Sequence, residues 1–226
     1  MIRMVKNKGA RVIIEKNKFF NTTSVNLFIH NNERNINKNG ISHFLEHLIL
    51  DLLSKNFQGE ILGARTTRLY TNYYLTCFTH SAEEIIAKFL RCIFAPKSIH
   101  GYYQRLFCKE QFLYTRKNAL SEIKEIAYNP YRVLQTNFIA FIGDGKIGFL
   151  PSFGGIRAVE NLKVKEIENY MKECYNLRNA CSVIFTNGSF NRIKDALIQS
   201  TNNLSKHELC EGPPKNNKLL KACSLE

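Results

Sequence analysis

The sequence predicts an α+β fold, with one sheet covered by helices. Two observations carry this. Segments of strand composition are interspersed with segments of helical apolar spacing, without the strict alternation that builds a parallel α/β sheet. A chain of 226 residues with 44% hydrophobic content, 16 Phe and 10 Tyr among them, can fill one core. The predicted domain spans residues 1–200. Residues 201–226 read as a polar tail containing Pro213-Pro214.

In chain order, Arg11-Val12-Ile13-Ile14-Glu15-Lys16 reads as a strand, and so do residues 22–30, where apolar and polar residues partly alternate. The polar stretch 31–39 is a loop. A helix over 41–54 follows, with Gly40 and Ser42 as start residues and Phe44, Leu45, Leu48, Ile49, Leu52 and Leu53 at helical spacing. Residues 70–80 are aromatic and β-branched, hence a strand. Ser81 and Glu84 form a capping-box pattern that opens the next helix, which Pro96 ends. One helix is expected from about Gln104 to Ala127, stopping before Asn129-Pro130, and a shorter one over 131–142. Gly143, Gly145, Gly148, Pro151, Gly154 and Gly155 make 143–155 a loop. Residues 163–175 and 190–200 read as helices, and 179–186 contains a strand that ends at the Asn187-Gly188 turn.

The 41–54 helix carries the chemistry. It contains His43-Phe44-Leu45-Glu46-His47. At about 100° per residue, Glu46 falls about 60° to one side of His43 and His47 about 40° to the other. The three side chains share one face. Two imidazoles one turn apart can hold one zinc ion, and a carboxylate between them can reach a water bound to it. The segment matches the inverted zinc-peptidase motif H-x-x-E-H, which makes a metallopeptidase the first functional expectation.

The bulk composition narrows the alternatives. No run approaches the 18 apolar residues of a membrane span, and the basic start has no signal-like apolar segment after it, so a cytoplasmic protein is expected. The seven cysteines are scattered, with no C-x-x-C pair, which suits free thiols. His207 and Cys210 have ligand-like spacing but no second pair beside them. The net charge of +13 is spread along the chain rather than gathered in a stripe. That pattern fits a solvated basic surface, suited to an acidic peptide or partner, better than a nucleic-acid site.

Several segments together resemble the M16 family of zinc peptidases, the pitrilysin, insulysin or mitochondrial-processing-peptidase family. Gly40 through Leu48 resembles the family's zinc helix, and Thr71-Asn72-Tyr73-Tyr74 the strand downstream of it. Ala119 through Glu125, followed by Asn129-Pro130, resembles the segment that holds the third ligand. Pro151 to Gly155, Val159 to Leu162 and Tyr175 to Asn179 resemble later family segments, in the family's order. The resemblance implies a single M16-type half-domain with His43, His47 and Glu122 as ligands to Zn2+ and Glu46 as general base. The residues by themselves do not choose Glu122 over Glu110 or Glu125.

Two departures accompany the resemblance. Thr115 stands where the family often has a second, supporting Glu, and the family's Asn-Ala-x-Thr stretch gives way to a shortened segment around Gly63 to Arg68. Length is a third. Family members enclose substrate between paired domains of about this size, so the resemblance implies a zinc endopeptidase subunit completed by a second M16-like chain, in a hetero- or homodimer. Its expected substrate is a peptide, with leader removal or maturation of a ribosomally made peptide as the suggested task. The alternative implied by the same family is a non-catalytic scaffold subunit.

Overall fold

Alternate residues along four strands are buried, and this periodicity sets the architecture. The computed structural model describes residues 2–7, 9–16, 18–31, 39–143 and 151–206. The strands are β1 (Ile2–Asn7), β2 (Ala10–Lys16), β3 (Thr22–His30), β4 (Ile61–Thr66), β5 (Tyr70–Phe78) and β6 (Ala180–Thr186). They form one sheet in the order β1-β2-β6-β3-β5-β4. β6 pairs parallel with β2, and the other pairs are antiparallel. The inward row comprises Val12 and Ile14, Ser182 and Ile184, Val25 and Leu27, and Tyr73 and Leu75, all buried. The alternate row, with Met4, Phe185, Tyr74 and Ile61, stays partly or largely exposed.

Helices pack against the inward row. They are α1 (Ile41–Asn56), α2 (Ala82–Phe94), α3 (Tyr102–Leu106), α4 (Lys109–Tyr128), α5 (Pro130–Ile142), α6 (Ile156–Asn161), α7 (Val164–Cys174) and α8 (Phe190–Lys206). α1 lies against β4 and β5, and α4 packs on α1. Phe44, Leu45, Leu48, Ile49 and Leu53 of α1 are fully buried in the single core cluster. Each such side chain contributes about 1.5–3 kcal/mol through burial. The Phe44 and Phe112 rings meet at 4.9 Å between centroids and fix α4 against α1. Several buried hydroxyls pair with one another, Thr23 with Thr186 at 2.7 Å and Tyr73 with Tyr175 at 2.8 Å.

The α+β fold with one helix-covered sheet is as expected, with refinements. β1 and β4 are strands that the sequence pattern does not single out. The helix expected from Gln104 to Ala127 is two helices, α3 and α4, broken at Phe107-Cys108, where Cys108 Sγ accepts from the Gln111 N–H at 3.4 Å. The capping box at Ser81 does not form: its hydroxyl donates to the Phe78 carbonyl instead. α8 runs to Lys206, six residues into the segment read as tail. The rest of that tail, with His207, Cys210 and Cys223, lies outside the described residues, as does most of the 31–39 loop and residues 144–150.

One turn required glycine. Gly40 caps α1 at φ 94°, and Gly154 has φ 76°. A Cβ on Gly40 would stand 2.7 Å from the Phe153 carbonyl oxygen and 2.8 Å from Gly154 Cα. The two backbones therefore touch with no side chain between them. A Gly40→Ala variant should lose about 2–4 kcal/mol, from left-handed strain plus overpacking against backbone that cannot give way. Urea unfolding measures it, and a loss below about 1 kcal/mol would mean the contact relaxes cheaply.

Candidate metal centre

The site is built on one face of α1. The face opposite its buried leucines carries His43, Glu46 and His47, which the core packing holds toward α4. Glu122, at the middle of α4, meets them across the helix pair. His47 Nε2 lies 3.1 Å from His43 Nε2 and 3.0 Å from Glu122 Oε2. His43 Nε2 lies 3.4 Å from the same oxygen. Among the described residues these three form the one group of His, Cys, Asp or Glu donors close enough to hold a metal ion. Glu110 and Glu125 are not part of it. The fold makes the choice that helical spacing left open.

The donor triangle fits zinc. Ligands at about 2.0–2.1 Å from a tetrahedral ion stand about 3.3 Å apart, and the three edges here bracket that value. Two imidazoles and one carboxylate are the donor set of many hydrolytic zinc sites, with a fourth position left open. His43 is 7% exposed, and its Nδ1 is buried with no hydrogen-bond partner among the described residues.

Electrostatics follow from the convergence. The His43 and His47 imidazoles beside Glu122 hold its carboxyl well below the usual carboxylate range, against the opposing effect of burial. Burial lowers the His47 pKa, yet the Glu122 hydrogen bond and the Glu46 and Glu122 charges together leave it raised. Glu46 is 6% exposed and has no hydrogen bond or ion pair among the described residues. It lines the same cavity as the three donors.

That cavity, about 470 Å3, is closed by residues of the shortened 63–68 segment and the 151–155 segment singled out by the resemblance, and by residues of α5 that the sequence analysis did not name. Ala64, Arg65 and Thr66 come from the edge strand β4, Arg132 and Thr136 from α5, and Phe153 from the loop held by the Gly40–Gly154 contact. No local pattern marks them, since only tertiary packing brings them to the donors. Thr115 is buried beside this region and accepts from the Gln111 side-chain amide at 3.4 Å. It does not reach the donor cluster.

The family profile described as insulinase, peptidase family M16, matches residues 11–141, from β2 to α5. The match spans more than half of the chain and includes every donor and Glu46. The chain belongs to peptidase family M16. Solved structures share its fold at low identity. An M16 peptidase inactive domain from Pseudomonas fluorescens superposes with a TM-score of 0.79 at 11% identity, covering 96% of this chain and 52% of that one. The periplasmic protease PqqL from Escherichia coli gives 0.74 at 17%, covering 95% and 25%. A protease from Helicobacter pylori gives 0.72 at 18%, covering 96% and 52%. No curated protein matches the chain. The chain thus spans about half the length of two of these M16-fold relatives and a quarter of PqqL.

Proposed function

We propose that this M16 chain is the catalytic half of a zinc-dependent endopeptidase. The observation that carries the reading is the convergence of His43, His47 and Glu122 with the uncommitted Glu46 in one cavity. His43, His47 and Glu122 would hold the zinc. When bound, zinc supplies Lewis acidity, polarising a carbonyl and acidifying water. Glu46 acts as general base at its carboxylate, taking a proton from the attacking water and returning it to the leaving amine. β4 is the edge strand of the sheet among the described residues, so an extended peptide can add to it and present its backbone beside this carboxylate. The metal-supplied protein should take up about one zinc per chain and lose cleavage when chelated, recovering it with added zinc. A folded, metal-supplied sample free of zinc by atomic absorption would rule the reading out.

The proposal includes a second M16-like chain. The length relation to the M16-fold relatives supports it, and so does α5. None of the residues of α5 is buried, and Tyr131, Leu134, Phe138 and Phe141 form an exposed apolar stripe beside the metal cavity. A partner of the same fold seated on that stripe would cover the mouth of the cavity. Leu134→Asp with Phe138→Asp should keep the zinc but lose partner binding and most cleavage. Undiminished cleavage by a monomeric double variant would show that no second chain is needed.

A reducing, cytoplasmic setting belongs to the same proposal, supported by free thiols at Cys77, Cys92, Cys108, Cys174 and Cys181. No helix among the described residues is long and apolar enough to cross a membrane. The inactive-domain neighbour favours one second reading, a non-catalytic subunit. Zinc uptake without cleavage of any peptide, alone or with its partner, would select it.

A further inference from the structure

The inference rests on the peptidase reading and concerns the side chains its substrate carries. The site face of α1 continues past His47 through Leu50, Asp51 and Ser54, at helical spacing. A second cavity, also about 470 Å3, lies along this continuation. Its walls are Glu60 and Leu62 at the start of β4, and Tyr114, Thr115 and Asn118 of α4. His47 lines both cavities. The two cavities meet at His47 and follow β4, the edge strand among the described residues, with residues of α1 and α4 lining both. The six-residue strand is about 20 Å long, room for an extended peptide of similar length.

Strand alternation decides which β4 side chains enter the cleft. Ala64 pairs with the fully buried Tyr73, and Leu62 with Leu75, so Leu62, Ala64 and, two residues earlier, Glu60 point toward the helices. Glu60 is half-buried. Its inward position is consistent with the Cys77 thiol, pushed up to about 11 by burial and then by the Glu60 charge. The charges around it are already committed. Asp51 accepts from Lys55 at 2.7 Å and from Gln111 at 2.8 Å. Lys88 donates to the Asn56 carbonyl and lies over the Phe57 ring. Glu60 itself has no hydrogen bond or ion pair among the described residues. A half-buried carboxylate in a cavity without a partner is satisfied best by a cation that arrives with the ligand.

We propose that this end of the cleft takes a lysine or arginine side chain of a peptide laid along β4, with Glu60 as the residue that selects it. Glu60, just before the strand, and Ala64 are four positions apart, about 13–14 Å along an extended backbone. The basic residue therefore stands about four positions from the peptide bond opposite Ala64. Added antiparallel, in the sense in which β4 pairs with β5, the peptide carries it on the C-terminal side of that bond.

The test is binding, measured by fluorescence anisotropy with the zinc-supplied full chain. Two labelled peptides are used, neutral except for one lysine or one glutamate in the C-terminal half. The lysine peptide should bind about tenfold more tightly, the effect of one charge-assisted hydrogen-bonded pair. Glu60→Lys should reverse the order, and Glu60→Gln, closest in shape, should abolish it. Such a pattern supports the assignment whether or not either peptide is cut, so absent cleavage counts against the peptidase reading alone. Equal binding of the two peptides, no binding of either, or a preference that survives in Glu60→Gln overturns it.

Discussion

Glu46→Gln should lower peptide cleavage by about 10²–10⁴-fold, the usual contribution of a positioned general base, with zinc content unchanged. The amide keeps the shape of the carboxylate but cannot accept the proton of the attacking water. Glu46 holds no other residue in place among the described residues, so its loss should leave folding intact. The decisive comparison is kcat at saturating substrate beside zinc stoichiometry in the same preparation. A variant that cuts as fast as the parent would assign the chemistry to another group. One that loses zinc as well would make Glu46 a structural support.

The second large effect falls on Glu122. Glu122→Ala should weaken zinc binding by more than the roughly 10–100-fold that loss of an outer-shell partner costs, because a direct donor is removed. Cleavage should disappear with the metal. Glu125→Ala, on the same helix but outside the donor group, should change neither. Competition with a fluorescent zinc chelator reads both affinities. Equal affinities in the two variants would mean that a different third donor completes the site.

Much of this site was legible because it is local. His43, Glu46 and His47 lie within five residues of one helix whose apolar residues recur at helical spacing, so motif and periodicity point to the same segment. Glu122 was legible only through family resemblance, since its position depends on how α4 crosses α1, and helical spacing cannot give a crossing. β4 escaped notice because Gly63 and Arg65 interrupt its apolar pattern and its outward face is solvated. It is nevertheless the strand beside the donors. The α3–α4 break has no Pro or Gly to announce it. At Ser81, the capping signature was present in the sequence, but the hydroxyl found the Phe78 carbonyl first.

The position of β6 bears on the timing of assembly. β1 and β2 join the rest of the sheet only through β6, which is inserted between β2 and β3. All three donors and Glu46 leave the ribosome well before Thr186 does. At about 5–20 residues per second, the delay from Glu122 to Thr186 lasts several seconds. During that interval β2 and β3 each present an unpaired edge, the kind of surface that recruits other chains. A nascent chain stalled before Ala180 should therefore be protease-sensitive and a good client for a holding chaperone, whereas one extended past Lys206 should be resistant. The metal helix and the strands it packs on, β4 and β5, are made early, but the sheet is joined only by its last strand, β6.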